Sequence, residues 1–378
     1  MKVSILTQPL GRNYGGLLQA YALQLVLKNL GCDVETLNRR KYFPVKVRLI
    51  SHFKYLVKNI LAKFGVEKYL DSNRNPCVNL EYFRDNFILL SPLVESDRDL
   101  LSYYSLNNFD VFLVGSDQVW RPCYSPKLSN YFLDFCDDLH LKSKRVAYAA
   151  SFGVDEKEFT EEEVAICRPL AKRFDAMSVR EDSGVELLRD YFNVDSEVVL
   201  DPTLLLDVND YEYLIKNDGS TEAVLPSGVL AYILDMDESK EGVVEKVCNV
   251  FGSTPFYMMN NPTRAKSRLK NRTEFYPRVG DWLNSFKSAD FVVTDSFHGC
   301  VFSIIFNKQF LVIGNKSRGL ARFHSILRRF GLESRLVDDS AQVDSSLVLE
   351  NIDWTVVNKI KNEGRKSSLD FIKDSSSI

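Results

Sequence analysis

The sequence predicts an α/β protein in which two β/α domains face each other across a cleft. Its 378 residues exceed what one ordinary hydrophobic core needs and suit two domains. Short β-branched and aromatic runs alternate with segments of helical periodicity along most of the chain. A polar stretch at about residues 207–228 interrupts this alternation, which then restarts. We therefore expect an N-terminal domain at 1–206, a crossing at 207–228, a C-terminal domain at 229–350, and a helix with a frayed, Ser-rich tail at 351–378.

The composition is that of a soluble globular protein, because 45% of the residues are apolar and 26% are charged. A net charge of −3 argues against a general nucleic-acid binder. The seven cysteines are scattered without a CxxC pair, which predicts neither a disulfide framework nor a zinc site and fits a reducing cytoplasm. Because neither a signal peptide nor an apolar run of bilayer length is recognisable, we expect a cytoplasmic protein.

The chain opens with a buried strand, KVSILT, and then turns through residues 11–16 into a helix at 17–30. Asn13, Gly15 and Gly16 belong to this Gly-rich turn. Its backbone N–H groups are suited to an anion at the start of the helix, although the glycines do not follow the GxGxxG dinucleotide pattern. A tight turn that requires positive φ explains the glycines equally well.

Residues 38–74 form a basic segment, with ten Lys or Arg against only Glu67 and Asp71. One helical face of this segment is apolar and consists of Leu49, Phe53, Leu56, Ile60 and Phe64. A basic amphipathic helix of this kind can rest on an anionic membrane surface. It can also simply cover the sheet, and the sequence leaves both interpretations open.

Polar side chains follow three strands of the N-terminal half. They are Ser116, Asp117 and Gln118 after the strand 110–114, Arg180 after the strand 177–179, and Asp201 after the strand 198–200. Ligands of parallel sheets bind beyond the carboxyl ends of the strands, where these side chains are expected to meet. An arginine there can grip a carboxylate or phosphate with two hydrogen bonds, and an aspartate can accept a proton. Taken singly, each is more often a surface ion pair or a loop brace.

The stretch FVVTDSFHG, Phe291–Gly299, predicts a strand, a tight loop and a helix in the C-terminal half. It places Asp295, Ser296, Phe297 and His298 beyond the carboxyl end of a strand. A histidine at this position can exchange a proton near neutral pH, although capping the helix or packing in the core are the ordinary alternatives. The next strand, 310–313, is followed by Arg318 and, one turn later, by Arg322.

Five motifs in this order, NYGGLLQAYALQ, GSDQVW, SVRE, LDPT and TDSFHG, resemble the polysaccharide pyruvyl transferase family over about residues 1–335. The resemblance implies two Rossmann-like domains in a GT-B-like arrangement. It also implies phosphoenolpyruvate as the donor substrate and a pair of sugar hydroxyls as the acceptor, and such a reaction requires neither a metal nor a nucleotide cofactor. A histidine in this loop and an arginine at the matching strand end are the catalytic residues that the family implies.

The chain departs from the family at Ser296, where many relatives carry an arginine. Arg318 or Arg322 would then hold the anionic groups of the donor. We assign His298 as the acid, Asp117 as the base and Arg180 as the clamp on the donor. The other predicted substrate-binding residues are Asn13, Gly15, Gly16, Ser116, Gln118, Asp201, Asp295, Ser296, Phe297, Arg318 and Arg322.

The predicted product is a pyruvate ketal on a sugar of an exopolysaccharide or capsule, or of its lipid-linked precursor. The predicted partners are phosphoenolpyruvate and a saccharide acceptor, without nucleic acid. Peripheral contact with the inner face of the cytoplasmic membrane is one of the two interpretations of the basic segment. Two other functions remain open. A GT-B glycosyltransferase would use a nucleotide sugar in the same kind of cleft, and a non-catalytic module of polysaccharide assembly would keep the fold without turnover.

Overall fold

A computed structural model describes residues 1–42, 75–219, 227–258, 276–314 and 319–378, together with five helical residues between them. Those five residues are Val47, Leu49, Ile50, Phe53 and Val57. The described chain forms two fully parallel sheets, each covered by helices, which confirms the predicted α/β fold with two Rossmann-like domains. No described helix has both the length and the apolar character needed to cross a membrane.

The N-terminal sheet has six strands in the order β2-β1-β3-β4-β5-β6. The strands are β1 (Lys2–Leu6), β2 (Asp33–Thr36), β3 (Val111–Val114), β4 (Lys144–Ala150), β5 (Ala176–Val179) and β6 (Glu197–Val198). The helices around them are α1 (Tyr14–Asn29), α2 (Val78–Phe87), α3 (Asp97–Leu106), α4 (Phe135–Asp138), α5 (Glu161–Ala171) and α6 (Asp182–Phe192). A capping box begins α5, where Thr160 and Glu163 satisfy each other's backbone N–H groups.

The C-terminal sheet has five strands in the order β11-β10-β9-β7-β8. The strands are β7 (Val229–Tyr232), β8 (Pro255–Phe256), β9 (Phe291–Thr294), β10 (Gln309–Ile313) and β11 (Leu336–Val337). Its helices are α8 (Glu238–Phe251), α9 (Val279–Ser288), α10 (Phe297–Ile305), α11 (Ala321–Phe330) and α12 (Ser345–Leu349). The strands β9 and β10 are buried along nearly their whole length, as parallel strands covered on both faces should be.

Two further helices connect the halves. The polar stretch after residue 206 contains α7 (Val208–Asn217), which packs against α9 of the C-terminal half. The last helix, α13 (Trp354–Ser376), returns to the N-terminal sheet, where the Leu200 N–H donates to the Ser368 hydroxyl at 2.9 Å. The prediction of a frayed Ser-rich tail was wrong, because Ser368 and Ser376 are buried against the sheet.

The two halves are joined directly at the start of α1. The Tyr14 ring stacks on the Trp282 indole of α9, with centroids 5.1 Å apart and planes 8° from parallel. The Tyr14 hydroxyl also donates to the Pro277 carbonyl oxygen at 2.8 Å. This contact sets the position of the α1 N-terminus relative to the C-terminal sheet.

The apolar face predicted for the basic segment is exposed wherever the structure describes it. Leu49 is 62% exposed and Phe53 is 66% exposed. The remaining members of the predicted stripe, Leu56, Ile60 and Phe64, lie outside the described residues. At the two described positions, the helix does not bury its apolar face against the sheet.

Candidate active site

The carboxyl ends of three N-terminal strands bring together the side chains that the sequence singled out. An Arg180 Nη1 hydrogen donates to the Asp201 Oδ2 atom at 3.0 Å. The Arg180 Nη2 atom lies 3.5 Å from the Asp117 Oδ1 atom, and the Nε atom lies 3.6 Å from the Glu181 carboxylate. All four residues are buried, so these ion pairs are screened little by solvent.

Asp201 is the most heavily bonded carboxylate of this cluster. Its Oδ1 atom accepts hydrogen bonds from the Thr203 N–H at 3.1 Å and the Thr203 hydroxyl at 2.7 Å. Its Oδ2 atom accepts from Arg180 and from the Gln19 side-chain amide of α1. Asp201 therefore holds Arg180, Gln19 and Thr203 in fixed positions. A substrate group would have to displace one of these donors to reach the Asp201 carboxylate.

His298 enters this cluster from the C-terminal half. The predicted loop position was wrong, because His298 lies in the first turn of α10, where it is only 6% exposed. Its Nε2 atom is 3.9 Å from the Asp201 Oδ2 atom, beyond hydrogen-bonding distance. Among the described residues this nitrogen has no hydrogen-bond partner. The imidazole therefore has one buried ring nitrogen without a hydrogen bond to the described residues.

The two glycines of NYGG allow the histidine to approach. The expectation that they form a turn was wrong, because Gly15 and Gly16 lie in the first turn of α1 without positive φ. A methyl group at Gly15 would overlap the His298 ring, and one at Gly16 would lie 3.4 Å from the Asp117 Oδ2 atom. The glycines let the α1 backbone pass directly beside both side chains, which the sequence pattern alone did not reveal.

Burial sets the charge of the histidine. Burial is the main cause that lowers the pKa of His298 to about 4; the charges of Arg180 and Arg322 act in the same direction, and the Asp201 and Asp117 carboxylates partly offset them. The imidazole is therefore neutral at pH 7 in the absence of a ligand.

Asp117 has a backbone φ of 65°, a left-handed conformation that aspartate tolerates better than most residues.

A cavity of about 320 Å³ opens between the two halves in front of this cluster. Eight of the predicted site residues line it, namely Asn13, Asp117, Gln118, Asp295, Ser296, Phe297, His298 and Arg322. Arg180, Asp201, Gly15, Gly16 and Ser116 lie behind this lining, and Arg318 lies outside the described residues. The lining residues that sequence reasoning missed are Arg12, Tyr14, Tyr232, Leu234, Tyr276 and Phe323.

Two of the lining residues have structural roles of their own. The Asp295 carboxylate accepts from the Lys240 ammonium at 2.8 Å and from the Leu234 N–H at 2.7 Å, so it ties the end of β9 to the end of β7. Ser296 caps α10 by accepting from the Gly299 N–H at 3.4 Å. Neither residue requires a ligand to explain its position.

Sequence reasoning also missed two buried residues that support the cluster. Gln19 lies on α1 one turn after the glycines, and Glu181 directly follows Arg180 in SVRE. The Glu181 carboxylate accepts from the Phe152 and Gly153 N–H groups at 2.9 and 3.2 Å, which fixes the loop after β4. A polar residue next to a predicted site arginine was the only signal for Glu181 in the sequence.

The electrostatic character of the cavity favours an anion. The helices α1, α10 and α11 all begin at its wall, where Tyr14, His298 and Arg322 line it from their first turns. Helix N-termini carry partial positive charge and N–H groups without intrahelical partners. Within the described part of the chain, no group of His, Cys, Asp and Glu is arranged to hold a metal ion.

A family model described as polysaccharide pyruvyl transferase matches residues 13–317. A search of curated proteins gave no match.

Arabidopsis thaliana UGT89C1 complexed with UDP-L-rhamnose is similar in structure, with 10% identity, a TM-score of 0.54 and coverage of 100% of this chain and 99% of the other. UDP-GlcNAc 2-epimerase from Neisseria meningitidis bound to UDP-GlcNAc has 9% identity, a TM-score of 0.54 and 99% coverage of both chains. S. aureus MnaA in its UDP co-structure has 13% identity, a TM-score of 0.51 and coverage of 97% and 96%. At these identities the likeness confirms the predicted GT-B-like fold and nothing finer.

Proposed function

The chain belongs to the polysaccharide pyruvyl transferase family, and from this premise we propose that it transfers pyruvate from phosphoenolpyruvate to two hydroxyls of one sugar. The observation that carries the proposal is a cavity with an anion-favouring wall into which a buried histidine and a carboxylate project. The donor carries a carboxylate and a phosphate, which suit such a wall. A nucleotide is not needed for this reaction.

The reaction requires movement of two protons. Protonation of the methylene carbon of the donor leaves a cation at the neighbouring carbon, which the first sugar hydroxyl attacks as it loses its proton. The C–O bond to phosphate then breaks, and the second hydroxyl attacks the same carbon to close the cyclic ketal. Of the two hydroxyl protons, one balances the proton added to the methylene carbon and the other leaves with inorganic phosphate. The site must therefore accept and deliver protons, and the number of protons on the protein is the same before and after the reaction.

Asp117 and His298 are the proposed base and acid. Both line the cavity, and a carboxylate placed there can accept a hydroxyl proton. His298 is neutral in the empty site, because burial lowers its pKa to about 4. The negative charge of the bound donor raises the pKa of a nearby imidazole, so donor binding would load His298 with the proton that it delivers.

Arg180 contributes through the groups around it. The sequence assigned it as the clamp on the donor, but its guanidinium contacts the carboxylates of Asp117, Asp201 and Glu181. In the proposed mechanism it holds the Asp117 carboxylate in place. The donor's own anionic groups then need another cation.

The acceptor is proposed to be a sugar of a cell-surface polysaccharide or of its lipid-linked precursor. Tyr14, Tyr232 and Tyr276 line the cavity, and the partly exposed Tyr276 offers an aromatic surface for a sugar ring. If the precursor is assembled at the inner face of the cytoplasmic membrane, a cytoplasmic enzyme with a weak surface anchor would meet it there. The exposed apolar residues Leu49 and Phe53 in the basic segment support such an anchor.

The direct test is incubation with phosphoenolpyruvate and a panel of free and lipid-linked saccharides. We expect phosphate release together with a pyruvate mass gain on one acceptor. Thermal melts with phosphoenolpyruvate, UDP and GDP separate this function from a nucleotide-sugar glycosyltransferase. Stabilisation by UDP or GDP but not by phosphoenolpyruvate would refute the proposal.

A further inference from the structure

A second cavity adjoins the one between the two halves. It has a volume of about 400 Å³, and its described lining residues all belong to the N-terminal half. Arg12 lines both cavities, so the two meet at this residue. His298 and Asp117 line the first cavity only. A small ligand in the second cavity is therefore separate from the proposed acid and base, whereas a longer molecule would occupy both cavities.

The described lining of the second cavity is rich in cations. Arg12 follows β1, Arg40 and Lys41 follow β2, and Arg84 lies on α2. The strands β1 and β2 are parallel neighbours in the sheet. Loops beyond the carboxyl ends of parallel strands are the ordinary place for ligands in an α/β fold. The cations thus come from three separate parts of the chain and converge where a ligand is expected.

Only part of this positive charge is offset by the described residues. The Arg84 guanidinium donates twice to the neighbouring Asp85 carboxylate, at 2.7 and 3.0 Å. The Arg40 Nε atom donates at 3.3 Å to a neutral side-chain amide oxygen. Two carboxylates, Glu81 and Glu95, also line the cavity. Even with Asp85 included, the four cations outnumber the described carboxylates, which favours an anionic ligand.

The helix α2 begins at this cavity. Its N-cap residue, Cys77, and Leu80 in its first turn line the cavity, and the Cys77 side chain makes no capping hydrogen bond. The first N–H groups of a helix lack intrahelical partners and carry partial positive charge. Glu81 in the same turn accepts from the Asn75 side-chain amide at 2.6 Å. A helix start beside converging cations is an arrangement suited to phosphate groups.

The position of the second cavity suits the acceptor better than the donor. In phosphoenolpyruvate the carboxylate and the phosphate are both attached to the carbon that reacts, so both stay beside His298 and Asp117. A saccharide that carries a phosphate ester is longer. It would present two hydroxyls to these residues and hold the ester on the far side of Arg12.

We propose that the second cavity binds a phosphate or diphosphate ester carried by the acceptor saccharide. This inference rests on the proposed function in so far as the saccharide accepts pyruvate. It makes the acceptor a phosphorylated precursor and not the finished polymer. The same phosphate chemistry occurs in prenyl-linked saccharides and in nucleotide sugars, and the experiment distinguishes these two sources.

The test removes cations from the second cavity and leaves the first cavity unchanged. One variant combines Arg40→Gln with Lys41→Gln, and a second, Arg84→Gln, removes a cation from a different element. The matched control combines Arg98→Gln with Lys172→Gln. Both control residues are exposed, and neither is among the described residues that line the two cavities. Because it removes the same charge as the first variant, the control accounts for general electrostatic effects.

Inorganic pyrophosphate is the binding probe, and calorimetry at low salt measures its affinity. Hydrogen exchange locates the probe through residues 77–81 at the start of α2, because the lining residues of this stretch belong to the second cavity alone. Farnesyl diphosphate and UDP represent the prenyl and the nucleotide source. Glucuronate tests whether the cations bind a saccharide carboxylate instead.

We expect the Arg40 and Lys41 variant to bind pyrophosphate roughly 10-fold more weakly than the wild type. It should also lose the protection that pyrophosphate gives to residues 77–81. Arg84→Gln should weaken binding less, because Asp85 already compensates that charge. The control should bind like the wild type, and the tighter of farnesyl diphosphate and UDP identifies the source of the ester.

Equal pyrophosphate affinity in the Arg40 and Lys41 variant and in the control would overturn the inference. Absence of protection at residues 77–81 in the wild type, or tighter binding of glucuronate than of pyrophosphate, would do the same. These results do not depend on pyruvate transfer. If pyrophosphate binds as expected but no saccharide releases phosphate from phosphoenolpyruvate, the phosphate site stands and the proposed function falls. Transfer together with unchanged pyrophosphate binding in the variant would have the opposite meaning.

Discussion

At the scale of single residues, the site combines a neutral buried histidine with a set of bonded carboxylates. The residue types were recognisable in the sequence, because His298, Asp117 and Arg180 follow strands at the carboxyl edge of parallel sheets. Their burial was not recognisable. Whether a histidine is charged depends on neighbours from distant parts of the chain, here Asp201 and Arg180 across the domain boundary.

Replacing His298 with Gln should reduce transfer by about 10²- to 10⁴-fold, the usual contribution of general acid–base catalysis. Glutamine fills a similar volume, so the buried position is not left as a cavity. Phosphate release measures the activity, and the melting curve with circular dichroism reports the fold. Near wild-type turnover in a well-folded variant would exclude His298 as the acid.

Donor binding should take up a proton at His298. The groups facing the imidazole are Asp117, Asp201, Arg180 and Arg322, and with burial they leave its pKa at about 4 in the free protein. Added negative charge raises this pKa, so the complex holds more protons than the free protein at pH 7 and affinity increases as the pH falls. Calorimetry in buffers of different ionisation enthalpy counts the protons. Equal uptake by wild type and His298→Gln would contradict the coupling, since the variant retains every other titrating group.

At the scale of secondary-structure elements, the start of α1 determines whether the histidine fits. A Gly15→Ala substitution favours the helix by about 1 kcal/mol, but its methyl group would overlap the His298 ring. The cost of the overlap should outweigh the gain in helix propensity. The α1 N-terminus is fixed by the Tyr14 contact with Trp282, so the imidazole must move instead.

We expect kcat of Gly15→Ala to fall about 10²-fold, the effect of a misplacement of about 1 Å at a reacting group. Gly11→Ala is the control, since the nearest atom to its added methyl group is 3.9 Å away and its φ is not positive. Steady-state kinetics of both variants, with melting temperatures alongside, provide the measurement. Equal activity in the two variants would mean that His298 does not depend on the space at Gly15.

The elements themselves were largely predictable, with errors where tertiary contacts decide. The strands β1 and β9 and the helix α8 follow from local patterns of β-branched residues and helical periodicity. The Ser-rich end of α13 was taken for a frayed tail because serine is usually exposed. Its order comes from the Leu200 N–H group, which finds its partner in Ser368 at a sequence distance that no local pattern conveys. The same holds for Gly15, whose neighbour His298 is brought to it by the fold.

At the scale of the whole molecule, apolar residues in a segment of basic sequence are exposed, and contacts among the described residues do not explain them. The described helical residues Val47, Leu49, Ile50, Phe53 and Val57 are between 38% and 66% exposed. The surrounding segment 38–74 contains ten basic residues and two acidic ones. An exposed apolar face with a basic border is the pattern of a helix that lies on an anionic lipid surface.

We therefore predict reversible binding of the whole protein to anionic vesicles. Each basic residue near such a surface contributes about 1 kcal/mol, so several together should bind at low salt and be released as salt shortens the range of the attraction.

Co-sedimentation at low and high salt compares the wild type with one charge variant and one apolar variant. The charge variant changes Lys46, Lys54, Lys58 and Lys63 to Glu, and the apolar variant changes Leu49 and Phe53 to Ser. Both should remain in the supernatant at low salt. In the apolar variant, transfer to a soluble saccharide acceptor should stay at the wild-type level, because Leu49 and Phe53 are not among the described residues that line the cavity. Recovery of the wild type in the supernatant at low salt would leave this surface without a role at the membrane.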